Sequence, residues 1–144
     1  MRALARASCF LLTYSMNKKF ILLVDDTLLD VALTLRAVAD CDIPHEVIIA
    51  NDGEEGLFQL ERRQFDAILV DIKMPRIDGF EMMEKMRSKA PHRNTPVFVL
   101  SGSNLDTDRR RAAKLGAIEY ITKELDYVDF KKNLKKALGR HGFC

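Results

Sequence analysis

Ala67-Ile68-Leu69-Val70-Asp71-Ile72-Lys73-Met74-Pro75-Arg76-Ile77-Asp78-Gly79 is the stretch around which the chain is organised. An apolar, partly β-branched run ends abruptly in a carboxylate, and Met-Pro and then Asp-Gly follow. Such a run reads as a strand buried on both faces. Pro75 and Gly79 bracket a turn-forming loop, and a helical pattern opens at Phe80. Asp71 is therefore expected at the carboxyl end of a central strand, where open α/β sheets place their ligand sites.

On either side the same alternation repeats. Phe20 to Val24 is a buried-strand run ending in Asp25-Asp26, and Thr27 to Asp40 follows as a wide-faced helix with apolar residues at 28, 29, 31, 32, 33, 35 and 38. Asp42, Ile43 and Pro44 break the chain before a second strand, Glu46 to Ala50. Asn51-Asp52-Gly53 turns it into a helix over Glu54 to Arg63, with Leu57, Phe58 and Leu60 expected inward. Phe80 to Ala90 spaces Phe80, Met83 and Met86 helically, and Met82 also reads as packing. Val97 to Leu100 is the fourth strand and Thr107 to Leu115 a polar helix, with Gly116 as its cap. Glu119 to Thr122 is a short fifth strand ending at Lys123, and Tyr127 to Leu138 is the last helix, closed by Gly139. Five strands alternating with five helices predict a parallel sheet covered on both faces, because parallel neighbours need crossovers.

At 144 residues, 47% of them hydrophobic and 31% charged, the chain is the size and composition of one globular domain. A formal net charge of +2 gives no argument for nucleic acid, and no apolar run approaches membrane-spanning length. Cys9, Cys41 and Cys144 lack metal spacing and read as free thiols in a reducing compartment. The histidines, His45, His92 and His141, also lack it and receive no chemistry. Residues 1–17 read as a disordered tail or an over-extended start rather than an export signal. The domain proper is expected over 18–140, with 141–144 as a tail.

The chemistry lies at the strand ends. Strand one ends in Asp25 and Asp26, strand three in Asp71, strand four in Ser101 and strand five in Lys123. In a parallel sheet these ends share one edge. Three converging carboxylates repel unless a cation neutralises them. Oxygen donors without His or Cys point to a hard divalent ion, Mg²⁺ first. Lys123 and Ser101 could then pair with phosphoryl oxygens, which fits carboxylate attack on phosphorus at Asp71. Blander roles weigh against each residue singly: Asp25 and Asp26 could cap the first helix, Ser101 the fourth, and Tyr120 could be an ordinary edge aromatic. The run Arg109-Arg110-Arg111, with the later lysines, reads as a solvated face.

Val24-Asp25-Asp26, Val70 to Gly79, Leu100-Ser101-Gly102 and Leu115 to Lys123 together resemble the receiver domain of two-component response regulators, of the single-domain, chemotaxis-regulator-like kind. Asp30, following the acidic pair, and His45 further resemble the stand-alone regulators that serve phytochrome-type kinases. The resemblance implies a flavodoxin-like sheet order 2-1-3-4-5 and a phosphoacceptor at Asp71, charged from the phosphohistidine of a sensor histidine kinase or histidine phosphotransfer protein. It implies Mg²⁺ held by Asp25, Asp26, Asp71 and the backbone carbonyl of Lys73. Ser101 and Lys123 would bind the phosphoryl group, and Tyr120 would swing inward as Ser101 moves, recasting the surface of helix four, strand five and helix five. It further implies a cytoplasmic protein signalling by protein contact to an unnamed target, with a phosphorylation-linked homodimer as one state and neither nucleic acid nor membrane as partner.

One departure from the family pattern is Glu124, where the usual residue after the lysine is Pro, often in a cis peptide. A cis bond before a non-proline costs about 2.5–4 kcal/mol, so a trans bond is expected. Two other readings compete. An unphosphorylated pseudo-receiver interaction module is supported by Glu124 alone. An aspartyl-nucleophile phosphatase would need a second Asp two residues after its nucleophile, where this chain has Lys73 after Asp71 and Thr27 after Asp25.

Overall fold

The computed structural model describes residues 18–123 and 126–144, leaving the expectations for residues 1–17 and for the Glu124 peptide outside it. The elements in order are β1 (Lys19–Val24), α1 (Leu28–Ala39), β2 (His45–Ala50), α2 (Gly53–Arg62), β3 (Ala67–Asp71), α3 (Gly79–Arg87), a 3₁₀ turn (Ala90–His92), β4 (Val97–Ser101), α4 (Asp106–Lys114), β5 (Ala117–Thr122) and α5 (Tyr127–Arg140). All pairings are parallel, and the strand order is β2-β1-β3-β4-β5. This is the flavodoxin-like order that the resemblance implied.

Alternate residues of the central strands face opposite layers. Leu22, Val24, Ile68, Val70, Val97 and Val99 pack with Leu60 of α2, Phe80, Met82, Met83 and Met86 of α3 and Ala112 of α4. Ile21, Leu23, Leu69, Phe98 and Leu100 pack with Val31, Ala37 and Val38 of α1 and with Phe130, Leu134, Ala137 and Leu138 of α5. Residues 67–71 of β3 are buried throughout, which is why that strand reads as continuously apolar rather than alternating. Each fully buried Leu, Ile or Val contributes about 1.5–3 kcal/mol.

Several sequence readings are corrected. Phe58 is not inward: it is 53% exposed, with the Arg62 guanidinium over its ring, because the buried stripe of α2 runs through Gly53, Gly56 and Leu60. The exposed start of α1, Leu28 and Leu29, likewise lies off its buried face. Helix α3 ends at Arg87 instead of Ala90. Pro91 has no N–H to give the Arg87 carbonyl four residues back. The Arg87 guanidinium then donates to the carbonyls of His92, Arg93, Thr95, Leu115 and Gly116, fastening the turn. Gly139 does not close α5; the helix runs to Arg140, which pairs with Glu119, and the positive-φ residue beyond it is Gly142 at 82°.

The free-thiol reading of Cys41 and Cys144 is overturned too. They form a disulfide spanning 103 residues, with Cα atoms 4.9 Å apart. Residues after α5 fold under the sheet: Phe143 packs edge-on to Phe98, and its carbonyl accepts from His45 Nε2 at 2.6 Å. Cysteines 103 positions apart carry no local signal of their proximity. Among the described residues no helix is long and apolar enough to cross a membrane.

Candidate functional site

Register sets the site. Val24 of β1 lies beside Val70 of β3, so the next residues, Asp25 and Asp71, emerge together. Asp71 lies beside Leu100 of β4, and Ser101 beside Thr122 of β5. The β4–β5 ladder slips between Val97 and Phe98, whose partners are Ala117 and Glu119. That slip restores the face on which Tyr120 and Thr122 stand, since one residue of shift reverses a strand. Lys123 follows at once, its amide donating to the Ser101 carbonyl at 2.7 Å.

The carboxylates of Asp25, Asp26 and Asp71 each offer an oxygen within 4.8 Å of the others. Asp25 and Asp71 are buried, at 1% and 5% exposure, and Asp26 is open to solvent. The Lys123 ammonium lies 2.9 Å from Asp25 Oδ2 and 3.3 Å from Asp71 Oδ2. On its other oxygen, Oδ1, Asp71 accepts from the Lys73 amide at 3.2 Å. Asp25 Oδ1 accepts from the Thr27 amide at 3.0 Å. The Thr27 amide precedes the first turn of α1, so Asp25 does not cap that helix; one of its oxygens faces Thr27 and the other Lys123.

Burial pushes the Asp25 carboxyl above the ordinary range, and neither the Thr27 amide nor Lys123 fully offsets it. Burial does the same to Asp71; the charge of Lys123 opposes the rise and that of Asp25 adds to it. For Lys123 burial alone would lower the value, but hydrogen bonds to Asp30 and Asp25 and the charge of Asp71 raise it above the usual lysine range. The pocket is therefore an anion cluster that one ammonium only partly neutralises. An all-oxygen donor set with one solvent-facing member fits a hard divalent cation that keeps several of its waters.

The loop after Asp71 is held close by Gly79, whose amide donates to the Ile72 carbonyl at 3.1 Å. A Cβ there would stand 2.5 Å from the Asp71 carbonyl oxygen, so only glycine fits. Asp78 caps α3 by accepting from the Glu81 amide at 2.8 Å.

Ser101 is fully buried, and its Oγ accepts from the Ser103 amide at 3.0 Å. The Tyr120 hydroxyl donates to the Ser103 carbonyl at 2.8 Å, and the Arg109 guanidinium lies over the Tyr120 ring. Ser101 and Tyr120 are thereby joined through one residue, Ser103. Ser101 does not cap α4, whose first turn has no side-chain cap; Ser103 Oγ accepts from the Leu105 amide ahead of the helix and donates to Asp108 within it. Asp30 was not assigned to the site from sequence, yet its Oδ2 accepts from Lys123 Nζ at 2.8 Å. Its place four residues after Asp26, in the first turn of a helix beginning at the site, was the available signal.

A family model described as the response regulator receiver domain matches residues 21–135. The chain belongs to that family. This receiver is 32% identical over 122 residues to the transcriptional regulatory protein CiaR of Streptococcus pneumoniae (strain ATCC BAA-255 / R6), covering 85% of this chain and 52% of that protein. It spans about half the length of that curated relative. Among solved structures, the phosphorylated cyanobacterial phytochrome response regulator RcpA is similar with a TM-score of 0.78 and 30% identity, covering 84% of this chain and 91% of that one. The Mn(2+)-bound form of response regulator Rcp1 matches with a TM-score of 0.78 and 27% identity, over 84% and 92% of the two chains. The likeness to phytochrome-serving regulators, expected from Asp30 and His45, is borne out.

Proposed function

We propose that this receiver accepts a phosphoryl group on Asp71 from a phosphohistidine and signals by altered protein contact. The observation that carries the reading is the Lys123 ammonium lying among strand-end carboxylates, 3.3 Å from Asp71. An Asp71 oxygen attacks phosphorus in line; the O–P bond forms as the N–P bond breaks, and the imidazole nitrogen leaves with its electron pair and takes up a proton. Burial raises the Asp71 carboxyl, and the Lys123 charge and the Lys73 amide favour its ionised, nucleophilic form. The Lys73 amide holds Oδ1, and Lys123 faces Oδ2.

Mg²⁺ held by Asp25, Asp26, Asp71 and the Lys73 carbonyl would neutralise charge on the transferring phosphoryl oxygens. Lys123 and the Ser101 hydroxyl, whose oxygen already accepts from Ser103, donate to the same oxygens once they are in place. Movement of Ser101 toward the phosphoryl group drags Ser103 and so strains the Tyr120–Ser103 hydrogen bond, coupling the site to the face of α4, β5 and α5. A new dianion biasing a two-state element is sufficient for such a switch. The phosphodonor is a sensor histidine kinase or a histidine phosphotransfer protein, and the setting is the cytoplasm, where ATP-charged kinases supply phosphohistidine.

Incubation with Mg²⁺ and acetyl phosphate followed by mass mapping tests the proposal. One alkali-labile, hydroxylamine-sensitive phosphoryl adduct on Asp71, lost in Asp71→Asn, is expected. No adduct would leave an unphosphorylated interaction module, and rapid turnover of assorted phosphomonoesters would mean a phosphatase.

A further inference from the structure

Asp30 makes the shortest contact to the site's only ammonium among the described residues. Lys123 Nζ lies 2.8 Å from Asp30 Oδ2, against 2.9 Å from Asp25 and 3.3 Å from Asp71. An ammonium carries three N–H donors. Two are given to Asp30 and Asp25, so the third is turned toward Asp71 Oδ2. Asp30 stands on α1 with its side chain 31% exposed, and it is not one of the three acids gathered within 4.8 Å.

That separation matters. Asp25 and Asp71 belong to the acidic cluster, so a divalent cation there would draw on their oxygens and repel the ammonium. Asp30 alone of the three is left to Lys123. The near end of the lysine is fixed by the hydrogen bond its backbone amide donates to the Ser101 carbonyl; the far end of its flexible four-carbon stem needs an anchor of its own.

We propose that Asp30 is a positioning residue that keeps the Lys123 ammonium aimed at the Asp71 oxygen when a cation occupies the acidic cluster. The inference rests on the phosphoacceptor reading above and assigns to it a residue outside the metal-binding acids. Asp30 neither binds the cation nor touches the phosphoryl group; it acts through Lys123. Asp30→Asn removes the charge at constant size, and Asp30→Glu keeps the charge on a longer stem.

The test compares the full chain with both variants by Mg²⁺ titration, by fluoroberyllate titration at saturating Mg²⁺, and by NMR of the Lys123 ammonium, assigned with Lys123→Arg. Losing one hydrogen bond between charged groups corresponds to a change of roughly tenfold. Asp30→Asn should therefore weaken fluoroberyllate binding about tenfold, with Mg²⁺ affinity changed less than about threefold, and Asp30→Glu should recover most of the loss. The Lys123 resonance should shift toward that of a free lysine in Asp30→Asn, most of all with Mg²⁺ present. Wild-type binding that Asp30→Asn leaves unchanged would overturn the proposal. So would an equal loss of Mg²⁺ and fluoroberyllate affinity, which would mean that Asp30 only adds negative field. A wild-type chain that binds Mg²⁺ but no fluoroberyllate would overturn the phosphoacceptor reading itself, and this one with it. Melting curves of each variant verify folding, and an unfolded Asp30→Asn would leave Asp30→Glu and the wild-type ammonium spectrum to decide: a Lys123 resonance like that of a free lysine in wild type refutes the anchor.

Discussion

Replacing Gly79 by alanine should damage stability and phosphoryl uptake together. The added Cβ would lie 2.5 Å from the Asp71 carbonyl oxygen, 2.7 Å from Ile72 Cα and 3.1 Å from the Asp71 carbonyl carbon. All three are backbone atoms of the strand end that carries Asp71, so no side-chain rotation relieves the overlap. Forcing a methyl into a packed site costs about 1–3 kcal/mol. Weakening the Gly79 N–H bond to the Ile72 carbonyl adds about 1 kcal/mol, and the better helix propensity of alanine returns at most about 1 kcal/mol. The expected net loss is about 2 kcal/mol, or roughly 6–8 °C in Tm for a chain of this size. Gly102→Ala is the control, because a Cβ there meets nothing within 4 Å and should change stability by less than about 0.5 kcal/mol. Urea midpoints give the stability, and fluoroberyllate affinity with Mg²⁺ reports the displaced Asp71. If Gly79→Ala unfolds at the same midpoint as Gly102→Ala, the close approach of α3 to the strand end is not the constraint argued here.

Asp71 has a folded pKa raised above its ordinary value of 3.8, so its ionised form opposes folding at neutral pH. That penalty is complete above the folded pKa and absent below 3.8. Asp71→Asn should therefore raise the urea midpoint at pH 7 without divalent cation, and the gain should shrink as the pH falls toward about 4; a gain independent of pH would refute the electrostatic cause. Mg²⁺ at ten times its Kd should stabilise the wild-type chain by about 1.4 kcal/mol, and Asp26→Asn should lose much of that increment in thermal melts. An Asp26→Asn chain that keeps it would remove Asp26 from the ligand set. The Cys41–Cys144 bond closes a loop of 103 residues, for which chain entropy in the unfolded state gives an upper value of roughly 4.7 kcal/mol. Reduction should lower the urea midpoint by an amount equivalent to about 2–4 kcal/mol, and Cys144→Ser should abolish the response to reductant; equal midpoints in both redox states would refute a stabilising bridge.

Sequence alone decided the features whose cause is local. Strand runs such as Ile21 to Val24 and Ile68 to Val70 are apolar because both faces are covered, and their period and flanking turns are visible within a few residues. The abrupt carboxylates after β1 and β3 stand out for the same reason: a charge ending a buried run must have a site. Parallel order then puts Asp25, Asp26, Asp71, Ser101 and Lys123 on one edge without further information. Gly116 was legible too, as a left-handed residue at φ 89° that ends α4.

What the tertiary structure decided depends on partners distant in the chain. Phe58 faces out because neighbouring layers, not its own helix, choose which stripe is buried. Helix α5 outruns Gly139, with Arg140 held by Glu119 on β5. Cys41 finds Cys144, and Asp30 finds Lys123 across 93 positions, only when α1 and α5 lie side by side on one face of the sheet. Periodicity reports which side of an element is apolar; it carries no record of what will be packed opposite, and a contact between distant residues is fixed only by the path of the folded chain.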